Sequence, residues 1–146
     1  MADSASTPDA SDLAALAQDF DLAAMYAFGS RAEEIAALAS GKAPSCAHSE
    51  SDADIGVQPQ KGSSLSTRQR VQLALKMEET LRVTRVDLVI LPEANAFLAA
   101  DIVRGELLYC CDAVQEAELQ LYYLRRAGDL APFLQERWRD LVGIEP

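Results

Sequence analysis

The order of apolar and polar positions along the chain predicts short strands that alternate with helices. Four apolar runs are typical of buried strands, and they cover residues 22–28, 52–57, 85–91 and 107–110. Apolar residues recur at helical spacing before and between these runs, at 13–19, 30–40, 66–82 and 94–104. Strands interleaved with helices predict an α/β fold, in which a small mixed β-sheet carries helices packed mainly on one face.

Stretches of small and polar residues set the limits of the predicted domain. Residues 1–10 lack an apolar pattern and predict a disordered tail, which leaves 11–146 as a single domain. Residues 41–51 are rich in Ser, Ala, Gly and Pro and predict a loop. Three interpretations of this loop are open: a lid, a docking element or a connecting segment without a function of its own.

The last part of the chain is predicted to be helical. Gly128 and Pro132 interrupt the apolar pattern within 113–142, so we predict two C-terminal helices there. A stripe at helical spacing is expected to lie in the core, with a partner-facing surface as the alternative: Phe133, Leu134, Trp138 and Leu141. The helix predicted at 66–82 is amphipathic, and its apolar positions include Val71, Leu75, Met77 and Leu81.

Length and charge limit the classes of function. A chain of 146 residues with 49% apolar and 25% charged residues is typical of one globular domain. A formal net charge of −10 argues against broad binding of DNA or RNA, which needs a basic surface, but it suits docking onto a basic protein. No apolar run is long enough to span a membrane, and the N-terminus lacks the pattern of a secretory signal.

The cysteines and the single histidine are not expected to carry the chemistry. Cys46, Cys110 and Cys111 are odd in number and lack a metal-type spacing, so a disulfide framework is not expected. A reducing, cytoplasmic location follows as the natural expectation. His48 lies in the loop 41–51 and is interpreted as a solvated residue.

Three aspartates stand in positions that suit a metal site. Asp52 and Asp54 are separated by one residue, so on a strand both point to the same face. Asp87 lies inside an apolar run, where an unpaired ionised carboxylate would be costly. Three such carboxylates cannot all stay ionised at close range without a cation, so a divalent-metal site is predicted. The alternatives are a turn role for Asp52 and a salt bridge from Asp87 to Arg82 or Arg85.

A Gly-Ser pair completes the pattern. Gly29 and Ser30 follow the first predicted strand and precede a helix. Backbone N–H groups at such a turn can bind phosphate, and glycine lets the main chain approach without a Cβ clash. Beside a divalent metal, this arrangement indicates a protein that handles phosphate groups.

These motifs in this order resemble the minimal nucleotidyltransferases of the DNA polymerase β-like superfamily. The resemblance rests on Phe28-Gly29-Ser30-Arg31, on Asp52-Ala53-Asp54 and on Val86-Asp87-Leu88, and it covers roughly residues 13–112. The stretches 94–98 and 102–109 also look like this family. The chain differs in a longer spacer between Gly-Ser and Asp-x-Asp, and in Glu33-Glu34, where the family tends to have a basic residue and a glycine.

The resemblance implies a role for each motif. Asp52, Asp54 and Asp87 would be catalytic and would hold two Mg²⁺ ions, with Asp52 and Asp54 bridging both metals. Asp87 would hold only the metal that contacts the attacking hydroxyl. Nucleotide binding would fall to three consecutive residues, Gly29, Ser30 and Arg31, although Arg31 could instead face solvent on the helix.

The activity implied is that of an enzyme, an Mg²⁺-dependent transferase that moves AMP from ATP to a hydroxyl. The resemblance points further to the antitoxin of a toxin–antitoxin pair that adenylylates a tyrosine of its helical HEPN-type toxin partner, without direct contact to nucleic acid or membrane. One alternative is a weak or inactive binding module that neutralises its partner sterically, which Glu33 and Glu34 favour. A second is an antibiotic-type nucleotidyltransferase acting on a small molecule. Base selectivity and a homo-oligomeric state are left open.

Overall fold

The computed structural model describes residues 10–41 and 52–142. Within them the chain forms five α-helices and four β-strands: α1 (Ala10–Asp19), β1 (Leu22–Phe28), α2 (Ala32–Ala39), β2 (Ala53–Pro59), α3 (Thr67–Leu81), β3 (Val86–Ile90), α4 (Ala96–Val103), β4 (Glu106–Cys110) and α5 (Ala113–Val142). Two 3₁₀ turns, Gly29–Arg31 and Leu91–Glu93, follow β1 and β3. The predicted alternation of strands and helices is therefore confirmed.

The four strands form one mixed sheet in the order β3-β2-β1-β4. β1 pairs antiparallel with β2 and with β4, whereas β2 and β3 run parallel. β3 and β4 are thus the two edges of the sheet. The predicted small mixed sheet is confirmed.

Alternating side chains of the strands enter two separate apolar clusters, as the pleat of a strand requires. On one face, Met25 and Ile55 are fully buried in the cluster that includes residues of α1, α2 and α3. On the other face, Tyr26 lies with Ile102 of α4 and Tyr123 of α5. The larger cluster belongs to the face that carries three of the five helices.

The register of the sheet aligns three residues of the predicted motifs. Phe28 of β1 pairs with Asp54 of β2, and Asp54 pairs with Asp87 of β3. Neighbouring residues in register point to the same face of a sheet. Phe28, Asp54 and Asp87 therefore form one row on the face that α4 and α5 cover in part, and β1 continues from this row directly into the Gly29–Arg31 turn.

The prediction of two C-terminal helices is wrong. Residues Ala113–Val142 form one helix of 30 residues, with Pro132 inside it. Pro132 cannot donate the usual hydrogen bond to the carbonyl of Gly128. Gly128 is exposed, so water can bind this carbonyl, and the helix continues through both residues.

The predicted burial of the apolar stripe on α5 also needs correction. Far from lying in the core, the stripe on α5 is exposed: Phe133 65%, Leu134 49%, Trp138 63% and Leu141 76%. On α3, Val71 and Leu75 are exposed, whereas Leu73, Met77 and Leu81 are buried. Helical spacing identifies an apolar face, but the position of the sheet decides whether that face is covered.

The remaining expectations concern the predicted tail, the loop 41–51, the cysteines and membrane-spanning helices. The predicted tail lies outside them except for Ala10, which begins α1. Most of the loop 41–51, with Cys46 and His48, also lies outside. Cys110 and Cys111 are free thiols at the end of β4, the first half-buried and the second exposed. In the described part of the chain, no helix has the length and apolar character needed to cross a membrane.

Candidate functional site

The turn after β1 places the main chain directly against a carboxylate. Gly29 has φ +80°, a conformation that non-glycine residues adopt only at a cost. A Cβ added to Gly29 would lie 2.5 Å from the Asp54 Oδ2 atom. Both the backbone angle and the space therefore require glycine here. The exposed Ser30 follows Gly29 within the same 3₁₀ turn. The Gly-Ser pair therefore lies against Asp54, a candidate metal ligand.

Asp54 and Asp87 form the centre of the candidate site. They lie side by side on parallel strands, with Asp54 half-buried and Asp87 exposed. Burial raises the pKa of the Asp54 carboxyl, and the negative charges of Asp87 and Asp52 and a hydrogen bond with Asp87 raise it further. A cation bound between the two carboxylates would relieve this repulsion. Carboxylate oxygens are also the ligands that Mg²⁺ prefers, so the donor chemistry fits this ion.

Asp52 lies close enough to this pair for its charge to affect Asp54, but its side chain forms an ion pair with Arg85. It immediately precedes β2, and its Oδ2 atom is 3.8 Å from Nε of Arg85. Among residues 10–41 and 52–142, no three His, Cys, Asp or Glu side chains are arranged as a ready metal site. The Asp52–Arg85 ion pair is largely exposed, and such pairs contribute about 0–1 kcal/mol. A cation could therefore recruit Asp52 by side-chain rotation at little cost.

The salt bridge considered for Asp87 is not the one observed. Arg85 pairs with Asp52 instead, and Asp87 has Asp54 as its close ionisable neighbour. This result removes a simple structural role for Asp87 through Arg85. It leaves a carboxylate whose electrostatic partner is another carboxylate.

Arg31 does not face solvent, which corrects the alternative considered from the sequence. Its side chain is only 7% exposed, and its Nε atom donates to Glu34 Oε1 at 3.0 Å. The positive charge of Arg31 lowers the pKa of Asp54, which places the guanidinium near the site. Arg31 therefore adds positive charge beside the carboxylates. Through the same contact, the Glu34 carboxylate is paired with the Arg31 guanidinium.

A cavity of about 490 Å³ opens beside the Gly-Ser turn. The residues that line it include Gly29, Ser30, Arg104, Glu106 and the exposed Glu33. This volume lies within the range of ordinary small-molecule sites. Arg104 was not among the residues predicted for the site. Its position in the family-like stretch 102–109 was the only available signal.

The chain matches a known protein family. Residues 13–114 match the family described as polymerase beta, nucleotidyltransferase. No curated protein sequence matches the chain.

Several solved structures share the fold. One is a mutant of the MntA–HpeT toxin–antitoxin complex, with TM-score 0.68 and 22% identity over 92% of this chain and 98% of the other. A toxin–antitoxin structure with AMP-PNP has TM-score 0.68 and 24% identity over 91% and 98% of the two chains. A third is a tri-AMPylated HEPN toxin from Shewanella oneidensis in complex with its MNT antitoxin, with TM-score 0.64 and 23% identity over 91% and 95%.

The family match includes every predicted site residue, from the Gly29–Arg31 turn to Asp87. It also spans all four strands of the sheet. The chain therefore belongs to the polymerase β nucleotidyltransferase family, and its fold is that of the minimal nucleotidyltransferases found with HEPN toxins.

Proposed function

We propose that this protein transfers AMP from ATP to a hydroxyl group, most specifically to a tyrosine of a HEPN-type toxin, and so acts as its antitoxin. The observation that carries the proposal is the close approach of the Gly29–Arg31 turn to Asp54, the carboxylate that is paired with Asp87. A phosphate-binding turn beside two carboxylates suits metal-assisted phosphoryl chemistry.

The similar structures support the substrate and the partner. One of them contains AMP-PNP, an ATP analogue, and another contains a tri-AMPylated HEPN toxin bound to its antitoxin. The chain covers at least 95% of each of these two relatives. A shared site would therefore need no additional domain to hold the same nucleotide.

Each residue has a defined task in the proposed transfer. The backbone at Gly29 and the Ser30 hydroxyl bind the β- and γ-phosphates, and Asp52, Asp54 and Asp87 hold Mg²⁺. Bound Mg²⁺ supplies charge neutralisation at the α-phosphate and at the leaving group. The acceptor oxygen forms a bond to the α-phosphorus while the bond to the β-phosphate oxygen breaks, and pyrophosphate leaves with the electron pair. Asp87, the exposed carboxylate of the pair, takes the hydroxyl proton.

The test is co-expression with a HEPN-type protein followed by intact-mass analysis of that protein. Wild type should add one or more AMP groups, and Asp54→Asn should add none because a metal ligand is lost. Asp19→Asn is the matched control, since Asp19 is an exposed aspartate on α1 and its replacement removes the same charge. Unmodified toxin with wild type, or equal modification by Asp54→Asn, would refute the proposal.

A second candidate function is steric neutralisation by a binding module that lacks catalysis. The observation in its favour is that Asp52 is paired with Arg85 and, in the described part of the chain, does not complete a three-carboxylate cluster with Asp54 and Asp87. This function predicts that a variant lacking both Asp52 and Asp54 still binds and neutralises the toxin. Loss of neutralisation by that variant, with binding retained, would exclude it.

A further inference from the structure

A second cavity, of about 530 Å³, lies along the outer edge of β3. Its walls are Val71 and Ala74 of α3, Leu98 after the start of α4, and every residue of β3 except Asp87. The Arg70–Glu93 ion pair lies at its border and joins α3 to the segment after β3. We call this cavity the edge groove.

The backbone of β3 offers hydrogen-bonding groups to the edge groove. β3 is an edge strand whose strand partner among the described residues is β2. The Ala53 N–H donates to the Arg85 carbonyl at 2.9 Å on the inner side, whereas the Val86 N–H donates outward to Glu78 Oε2 at 3.0 Å. Orientation alternates along a strand, so the N–H and C=O groups of Leu88 point outward like those of Val86.

The edge groove is continuous with the candidate site. Asp87 lies between the groove residues Val86 and Leu88, but its side chain is in the row with Phe28 and Asp54. A strand added beside β3 would extend this row by one residue. Residues directly opposite on neighbouring strands have Cβ atoms about 4.5–5.5 Å apart, so a hydroxyl side chain at that position would reach the Asp87 carboxylate.

We propose that the edge groove binds the acceptor: an extended segment of the partner protein pairs with β3 as a fifth strand and presents its hydroxyl residue beside Asp87. This inference rests on the proposed function and adds how the acceptor is recognised. The outward N–H and C=O groups of β3 favour a polypeptide over a small molecule, because an added strand forms hydrogen bonds with them at regular spacing.

The groove also defines the side chains of the segment. Residues flanking the hydroxyl residue would point to the opposite face, where Val71, Ala74 and Leu88 provide an apolar wall. The expected acceptor is therefore a hydroxyl residue between two apolar residues. A tyrosine at the central position would extend past Asp87 toward Asp54, where the nucleotide is expected.

The first measurement is hydrogen exchange of the protein alone and in complex with the co-expressed HEPN-type partner. Pairing with β3 should slow exchange of the outward amides of Leu88 and Ile90. A stable complex in which exchange within 86–90 is unchanged, or in which protection is confined to the exposed part of α5, would overturn the proposal.

The second measurement compares two matched variants on α3. Val71 and Leu75 are 55% and 57% exposed, and only Val71 lines the edge groove. Val71→Glu places a charge against the apolar segment and should reduce AMP transfer roughly tenfold or more. Leu75→Glu, with the same charge change on the same helix, should leave transfer unchanged.

The two measurements separate this inference from the proposed function. Both variants should keep Mg²⁺-dependent ATP binding, because neither residue lines the cavity beside the Gly-Ser turn. Equal transfer by Val71→Glu and wild type would refute the groove while leaving the transfer reaction intact. Protection of Leu88 and Ile90 without any AMP addition would support the groove and refute the transfer.

Discussion

Gly29 is constrained both by its backbone conformation and by the nearby carboxylate of Asp54. Its φ of +80° is one constraint, and the 2.5 Å that would separate an added Cβ from Asp54 Oδ2 is an independent second one. Gly62 has nearly the same angle, φ +83°, but nothing lies within 4 Å of its Cβ position. The chain therefore contains an internal control for the effect of backbone strain alone.

Replacing these glycines should separate strain from function. Gly29→Ala and Gly62→Ala should each lower the free energy of unfolding by about 1–3 kcal/mol, measured by urea denaturation. Only Gly29→Ala should also abolish Mg²⁺-dependent ATP binding in calorimetry, because its methyl group displaces the Asp54 carboxylate. Equal ATP binding by the two variants would show that the turn does not position the carboxylate.

Arg31 illustrates how the sequence neighbours of a residue can leave two positions open for its side chain. Followed by Ala32-Glu33-Glu34, it is compatible with an exposed helical position. The 3₁₀ turn rotates it inward, where it contacts Glu34 and lies near Asp54. A turn that precedes a helix changes which face the first residues occupy, and local periodicity does not report this change.

At the scale of elements, a half-buried hydrogen bond helps to hold α5 against the sheet. Tyr26 of β1 is fully buried, and its hydroxyl donates to Glu116 Oε2 at 2.5 Å. Gln120, one turn later on α5, donates to the same carboxylate oxygen at 2.6 Å. Burial raises the pKa of the Tyr26 phenol, and the hydrogen bond and charge of Glu116 raise it further.

Tyr26→Phe should lower stability and change its pH dependence. Loss of the hydrogen bond leaves Glu116 half-buried without one donor, which costs roughly 1–3 kcal/mol in urea denaturation at pH 7. The raised pKa of Tyr26 means that its contribution is complete below the unfolded value, near pH 10, and is lost as pH rises above it. Wild type should therefore lose stability above about pH 10 more steeply than Tyr26→Phe.

Tyr122→Phe is the control for this comparison. Tyr122 lies on α5 and is 54% exposed, so removal of its hydroxyl should change stability little. If wild type and Tyr26→Phe have parallel stability profiles above pH 10, the buried phenol does not contribute as described.

The second half of α5 differs from the first in what it contacts. Tyr123 and Ala127 are buried against the body of the protein, whereas the large apolar residues Leu130, Phe133, Leu134, Trp138 and Leu141 are exposed. The continuous helix was not predicted because Gly128 and Pro132 both disfavour helix. Each residue destabilises a helix locally, but the exposure of Gly128 lets water bind its carbonyl and lowers the effect of the missing proline donor.

At the scale of the whole molecule, the net charge of −10 is the dominant long-range property. Phosphate backbones would be repelled by such a chain, whereas a single bound nucleotide can be held where a cation reverses the local field. The paired Asp54 and Asp87 beside the Gly-Ser turn are the place where this reversal is expected.

The protein should accordingly fail to bind duplex DNA or RNA of arbitrary sequence. Fluorescence anisotropy with a labelled duplex at about 50 mM salt should show no binding. A chain of this charge has no excess of Lys and Arg side chains that could replace the counterions of the phosphates. Binding that weakens steeply as salt increases would contradict this prediction. The same titration with a small basic protein gives the comparison, and association there is expected at low salt.

The sequence alone determined the order of elements as far as β4 and the identity of the motifs. β1 was predicted at the residues it occupies, 22–28, because an apolar run ended by glycine is a local signal. The other strands were predicted to within about two residues for the same reason. The row of Asp54 and Asp87 follows from their places within two strands, once the parallel register is given.

Only the tertiary structure decided which faces are covered and which carboxylates meet. Elements distant in the chain decide the exposure of Val71 and Leu75 and the pairing of Asp52 with Arg85. Periodicity and turn chemistry act over a few residues, so they are written in the local sequence. Burial and ion pairing depend on where the sheet places its faces and edges, and the packing of the whole chain sets those positions.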